Sequence, residues 1–225
     1  MKKLIDVKNL NIKYGEHAVI SKLSFSIEEG DFLCIVGENG CGKSTLLKAI
    51  TGEIESGKSI KYCGLSKNQI GYISQKARID EFFPASVEEV VNSGSLNSPS
   101  FGIFYTVKQK AKAKQALKTL GIEKLAKENF GSLSGGQKQK ALLARALTAT
   151  EKLIILDEPS NNLDKGSRSE LYSLLQNLNR EGMTVIIVTH DLDHGNLIGN
   201  KILSLSKNLP FYGTTAEYVR RVHHA

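Results

Sequence analysis

Residues 37–44 read GENGCGKS, a glycine-rich turn closed by a lysine and a serine at the spacing G-x-x-x-x-G-K-[ST]. Chemistry accounts for each residue type. Gly37, Gly40 and Gly42 let the backbone curl until several N–H groups converge on one anion. Lys43 brings a compact positive charge to the β- and γ-phosphates of a nucleotide, and Ser44 offers a hydroxyl ligand to Mg2+. Thr45 is placed to bond the region of the α-phosphate. The alternative is a glycine-rich turn with a chance lysine. Context argues against it: the apolar run FLCIVG (32–37) enters the turn as a buried strand, and a helix begins near Lys43. That helix aims the positive end of its dipole at the same point.

Two carboxylates follow in LIILDEP (153–159). Asp157 ends a second apolar run, so its carboxylate lands at the C-terminal edge of a parallel sheet, beside the loop. There it would hold Mg2+, partly through water. Glu158, one residue later on an extended chain, points elsewhere. It is the candidate general base for an attacking water, or at least the group that positions that water. The alternative is a carboxylate that merely faces solvent. A third feature is LSGGQ at 133–137. Ser134 can cap the helix that follows, and Gly135 and Gly136 leave its first N–H groups unobstructed. This is a second anion-binding helix end. The chain's own loop has no need of it, which implies a second ATP contacted in trans.

The elements that must position these groups can be read from hydrophobic periodicity. DVKNLNIKY and HAVISKLSFSI, within 3–14 and 17–27, alternate apolar and polar residues as antiparallel strands with one solvated face, turned at Gly15-Glu16. The continuous apolar runs FLCIVG, LIILD and TVIIVTH (184–190) read as strands buried on both faces, with a helix at about 165–180 between the last two. Buried strands alternating with helices predict an α/β fold with a mainly parallel sheet. From about 86 to 150 no strand pattern occurs. SVEEVVNSG, VKQKAKAKQALKTLG and GGQKQKALLARALTA read as three helices, NSPSFGIFYT as a loop, and Gly121 as a left-handed helix cap. The expectation is one domain over 1–225, with a core from 1–85 and 150–225 and a helical insertion at 86–149. After Gly213 a short helical tail is expected, and no appended regulatory domain.

With 225 residues, 40% hydrophobic and 24% charged, the chain has an ordinary globular composition and can bury a sizeable core. No apolar run approaches the roughly 20 residues that span a bilayer. MKKLIDVKNL lacks the long apolar stretch of a signal peptide, so the protein is expected to stay in the cytosol. Cys34, Cys41 and Cys63 have no metal-ligand spacing and read as free thiols, with Cys34 in the core and Cys41 open to thiol reagents in the phosphate loop. The net charge is +7 and its densest cluster is Lys108, Lys110, Lys112, Lys114 and Lys118. These read as the solvated face of one helix, without the interleaved aromatics of a base-stacking platform, so no nucleic-acid partner is expected.

The motifs, in their order and separation, make the chain resemble the nucleotide-binding subunit of ATP-binding cassette (ABC) transporters over essentially its whole length. Walker A is GENGCGKST, the signature is LSGGQ and Walker B is LIILDE. The resemblance implies a P-loop NTPase core of the RecA-like type with an antiparallel β subdomain and a helical signature subdomain. It implies ATP and Mg2+, ATP hydrolysis, and a head-to-tail homodimer with two composite sites. It also implies separate membrane-spanning permease subunits and an extracytoplasmic solute-binding protein, with this chain on the cytoplasmic face of the membrane. It extends the nucleotide contacts to Asn39 and Cys41 in the loop, and to Gln137 beside Ser134, Gly135 and Gly136 at the signature. Tyr14 matches the aromatic that stacks on adenine; a lone tyrosine there would otherwise be core or edge packing. Gln75, after the strand IGYIS, matches the glutamine that touches Mg2+ and the attacking water. Asp164 in SNNLD falls near the dimer seam, and His190 matches the histidine that contacts the γ-phosphate. Two departures stand out. Lys140 occupies a position where the family often has arginine. The segment KENFGS lacks the acidic, glycine-containing stretch of many exporters, which points to an importer.

FFPASVEEVVNSG (82–94) resembles the branch of the family serving zinc, manganese or iron uptake, where such a segment precedes the helix facing the membrane subunit. Phe82 and Phe83 would then form a docking patch, or would pack under their own loop. Uptake of zinc or manganese is the expectation. An importer of a siderophore, cobalamin or another small solute is the alternative. A soluble cassette acting on ribosomes or DNA is a more distant one: the Asn-Asn of SNNLD resembles translation-associated cassettes, but those generally fuse two cassettes through a charged linker. His223 and His224 read as tail residues rather than metal ligands.

Overall fold

The structure, a computed structural model, describes residues 2–75, 84–97, 105–189, 198–206 and 210–223. The alternating segments near the N-terminus form a hairpin of β1 (Lys3–Tyr14) and β2 (His17–Glu28), with Tyr14 paired to His17 at the turn. Their apolar positions, among them Leu4, Ile5, Leu10, Phe25 and Ile27, point into the core. β3 (Phe32–Val36) leads through the glycine-rich turn into α1 (Lys43–Thr51). β4 (Ile60–Tyr62) then pairs antiparallel with β1 and completes a three-stranded sheet in the order β2-β1-β4.

β5 (Ile70–Ile73) begins the second sheet. Three helices follow: α2 (Val87–Asn92), α3 (Val107–Thr119) and α4 (Gly135–Ala149). The remaining elements are β6 (Leu153–Asp157), α5 (Lys165–Arg180), β7 (Thr184–Val188), β8 (Lys201–Ser204), β9 (Phe211–Thr214) and α6 (Thr215–His223). The six-stranded sheet has the order β5-β6-β7-β3-β8-β9, with β9 alone antiparallel to its neighbour. This is the α/β fold with a mainly parallel sheet and an N-terminal antiparallel sheet that the periodicity predicts. β4, β8 and β9, of three or four residues each, were not anticipated from the sequence.

The continuous apolar runs are explained by two cores. Phe32, Cys34 and Val36 of β3 pack toward α2, α3, α4 and α5. Leu33 and Ile35 of the same strand pack toward α1 and the three-stranded sheet. A strand covered on both faces has no solvated side and so no polar alternation.

Among the described residues, each of the three α-helices between β5 and β6 opens on a capping box: Ser86 with Glu89, Thr106 with Gln109, and Ser134 with Gln137. α3 buries Ala113, Ala116 and Leu117 and exposes Lys108, Lys110, Lys114 and Lys118, so the lysine cluster is a solvated face; Lys112 pairs with Glu151 at 2.5 Å. α4 lies against glycines. A Cβ on Gly71 would stand 2.5 Å from the Ala146 carbonyl oxygen, and one on Gly94 would collide with the carbonyl of Arg145. Only residues without a side chain allow the backbones this close. Among the described residues no helix is long and apolar enough to cross a membrane.

Candidate functional site

The parallel strands β5, β6, β7 and β3 bring their C-terminal ends to one edge of the sheet, and the chain turns there from β3 into α1. The residue before α1 is Gly42, with φ of 103° and no side-chain cap on the helix. The first N–H groups of α1 are therefore not claimed by a capping side chain and can meet an anion. A larger residue at Gly42 would be strained by that φ and would press on Val19, 3.0 Å away on β2. The N-terminal hairpin thus abuts the loop. The Lys43 side chain is only 6% exposed, and its ammonium donates to the carbonyls of Gly37 (2.7 Å) and Glu38 (3.0 Å). An ammonium has three N–H donors, so this grip holds it over the loop with capacity for a phosphate oxygen.

Asp157 ends β6 at 4% exposure, and the Ser44 hydroxyl reaches its carboxylate. Burial pushes the Asp157 carboxyl above its ordinary range; the Ser44 hydrogen bond opposes this, and the neighbouring Glu158 adds to it. Its Oδ1 atom is buried with no hydrogen-bond partner among the described residues. A buried carboxylate oxygen without a partner is costly and calls for a cation. The donors are a carboxylate and a hydroxyl, which suit Mg2+.

Glu158 leaves the strand in the left-handed conformation, with φ of 49°, and its N–H donates to Val188 at 3.0 Å. β5 and β6 pair with Ile73 opposite Leu156, which brings Gln75, two residues on, abreast of Glu158. The Gln75 Nε2 donates to Glu158 Oε2 at 2.9 Å, and the Asn161 Nδ2 donates to the same oxygen at 2.6 Å. Gln75, Asp157, Glu158 and Asn161 line a cleft of about 690 Å3, together with the half-buried Gln139 from α4. The Gln139 Nε2 is a buried donor without a partner among the described residues. Sequence reasoning missed both Asn161 and Gln139. The spacing of Asn161, three residues after Glu158 across Pro159, is the signal that could have found it, because such a spacing closes a turn.

Other expected residues lie around this centre. Asn39, Gly40 and Ser44 are exposed, while Cys41 and Thr45 are half-buried. Tyr14 is 52% exposed at the end of β1 and offers an open ring face. Ser134 and Gly135 are exposed at the start of α4, where the Ser134 hydroxyl accepts from the Gln137 N–H. Gly136 sits beside Ser167 of α5. Asp164 caps α5: it accepts from the Ser167 N–H (3.0 Å) and hydroxyl (2.6 Å), and these bonds hold its carboxyl below the usual range. Lys140 pairs with Glu170 at 2.7 Å. β7 carries the chain to Thr189; His190, Phe82 and Phe83 lie outside the described residues.

The family model described as ABC transporter matches residues 20–161. The chain belongs to the ABC transporter family. It is 38% identical to the zinc uptake system ATP-binding protein ZurA of Listeria monocytogenes, over 97% of this chain and 88% of that one. It is 35% identical to the manganese transport system ATP-binding protein MntB of Halalkalibacterium halodurans, over 96% and 88%. Among solved structures it resembles an inward-facing metal-chelate type ABC transporter, with a TM-score of 0.86 and 33% identity over 100% of this chain and 90% of that one. A dimeric bacterial ABC transporter cassette superposes with a TM-score of 0.75 at 26% identity, covering 94% of this chain and 98% of that one. The chain is thus an ABC ATP-binding subunit. Its family hydrolyses ATP, generally with Mg2+, and works with membrane permease components.

Proposed function

We propose that this chain is the ATP-hydrolysing subunit of an importer for a divalent transition metal, zinc or manganese. The observation that carries the reading is the pair of full-length likenesses to zinc and manganese ATP-binding proteins at 38% and 35% identity. The site itself has no say in the choice of metal, because the cargo belongs to the membrane and solute-binding partners.

In this reading each step falls to a residue named from the sequence. The loop N–H groups and Lys43 bind the phosphates, and Tyr14 stacks on the base. Ser44 and Asp157 would hold Mg2+, with Gln75 at its edge; the ion would neutralise charge on the β- and γ-phosphates. Glu158 accepts the proton of the attacking water, and His190 contacts the γ-phosphate. The exposed helix end at Ser134, Gly135, Gly136 and Gln137 serves the partner's ATP, with Asp164 at the seam, so two copies close head to tail over two nucleotides. The helical segment 86–149 is the subdomain that docks on the permease, and closure of the pair drives the membrane subunits. These assignments put the protein at the cytoplasmic face of the membrane, with an extracytoplasmic solute-binding protein on the other side.

A deletion strain tests the cargo. Cells lacking the protein should grow poorly when zinc or manganese is chelated, and the cognate metal should rescue them. Unchanged accumulation of zinc, manganese and iron, with a defect in another solute, would overturn the reading in favour of a different importer.

A further inference from the structure

Asn161 carries none of the roles assigned above, yet it grips Glu158 at both ends. Its backbone N–H donates to the Glu158 carbonyl at 3.3 Å, and its side-chain Nδ2 donates to Glu158 Oε2 at 2.6 Å. Gln75 reaches the same oxygen from the end of β5. Two amides from separate segments therefore converge on one carboxylate oxygen. Glu158 starts from an unfavourable backbone conformation for a residue with a side chain, with φ of 49°. Its three side-chain torsions would otherwise sample several staggered rotamers. A general base must stay within hydrogen-bond reach of the water it activates. We infer that Asn161 is a positioning residue for ATP hydrolysis, holding the Glu158 carboxylate at the reaction geometry through Oε2.

The amide is not needed to shape the turn. The 158–163 segment is closed by the Asn161 N–H to Glu158 bond, by the Leu163 N–H to Ser160 bond at 3.2 Å, and by the buried contact of the Tyr172 hydroxyl with Ser160 Oγ at 3.1 Å. None of these uses the Asn161 side chain. Residue type also matters. Alanine has no donor, and serine is too short to carry one to the same oxygen. Aspartate is the same size but would set a second negative charge against the carboxylate.

The inference rests on the reading of Glu158 as the water-activating group, and the test separates the two. Steady-state ATPase is measured on the full-length chain carrying Asn161→Ala, Asn161→Asp, Glu158→Gln, or Asn161→Ala with Glu158→Gln. Asn161→Ala should lower kcat about 10- to 100-fold, the scale of a small misplacement of a reacting group, with KM for ATP changed less than about twofold. Asn161→Asp should lose at least as much. In single-turnover experiments on the Glu158→Gln background, Asn161→Ala should cost nothing more, because the amide acts only through the carboxylate. A kcat within about twofold of wild type for Asn161→Ala overturns the inference, and so does an equal loss on the Glu158→Gln background. If Asn161→Ala does not fold, Asn161→Ser answers the same question. Wild-type turnover in Glu158→Gln would instead overturn the reading of Glu158 itself.

Discussion

Gln75 and Glu158 stand 83 positions apart in the chain, yet the amide nitrogen of one lies 2.9 Å from a carboxylate oxygen of the other. Parallel pairing of β5 with β6 brings them abreast, with the helical segment looped out between the two strands. Any shift at the end of β5 is therefore felt at the carboxylate.

Glu158→Gln should still bind ATP and lose about 10²- to 10⁴-fold in turnover, the usual cost of removing a general base. Closed dimers should accumulate with ATP on a sizing column, because the phosphates still bridge both copies. ATPase at the wild-type rate would remove Glu158 from the chemistry.

Lys43→Ala should weaken binding itself. A hydrogen bond to a charged group contributes about 1.5–3 kcal/mol, or roughly ten- to hundredfold in Kd. Titration with a fluorescent ATP analogue reads this directly, and unchanged affinity would contradict the phosphate cradle.

Ser134→Arg should abolish ATPase in the homodimer by placing bulk at the exposed start of α4. Mixed with Lys43→Ala chains, it gives dimers with one doubly damaged and one intact composite site, so partial activity should return. Normal activity in the Ser134→Arg homodimer would sink the composite-site reading.

The three thiols should separate by reactivity. Burial pushes the Cys34 thiol up to about 12, and the thiolate is the reactive form, so from neutral pH to about pH 9 it stays protonated and inert. Cys41 and Cys63 are half-buried. A disulfide reagent such as DTNB should titrate two thiols in the folded protein and the third only after unfolding, and Mg·ATP should slow Cys41. Three fast thiols in the folded chain would contradict the core placement of Cys34.

Gly94→Ala should destabilise the protein by about 1–3 kcal/mol, the range for forced overpacking, because its methyl has no room beside the Arg145 carbonyl. A thermal melt reads this as a lower Tm. An unchanged melt would mean that α4 can shift away without loss.

The phosphate loop, the acidic pair and the strands that carry them were legible because each has a signature that is local in sequence. FLCIV and the LIIL before Asp157 are apolar throughout since both faces are covered, and GENGCGKS sits between strand and helix. β4, β8 and β9 left too little sequence for a pattern; three or four residues hold at most two alternations. Asn161 was hidden for another reason. Its partner is a side chain, and only the three-residue spacing across Pro159 marks the left-handed turn at Glu158 that brings them together. The Lys201 bonds to Asp31 and Glu28, across more than half the chain, were equally invisible.

The close seats that Gly71 and Gly94 provide for Ala146 and Arg145 fall near the C-terminal end of α4, while Ser134 lies at the other end. That makes the helix a lever with its fulcrum in the core. From Ser134 to the seat at Arg145 the helix rises roughly 17 Å, so a tilt of about 10° about the seated end would carry the signature tip by about 3 Å. A displacement of that size spans the difference between a hydrogen bond and none, and the fulcrum itself need not move.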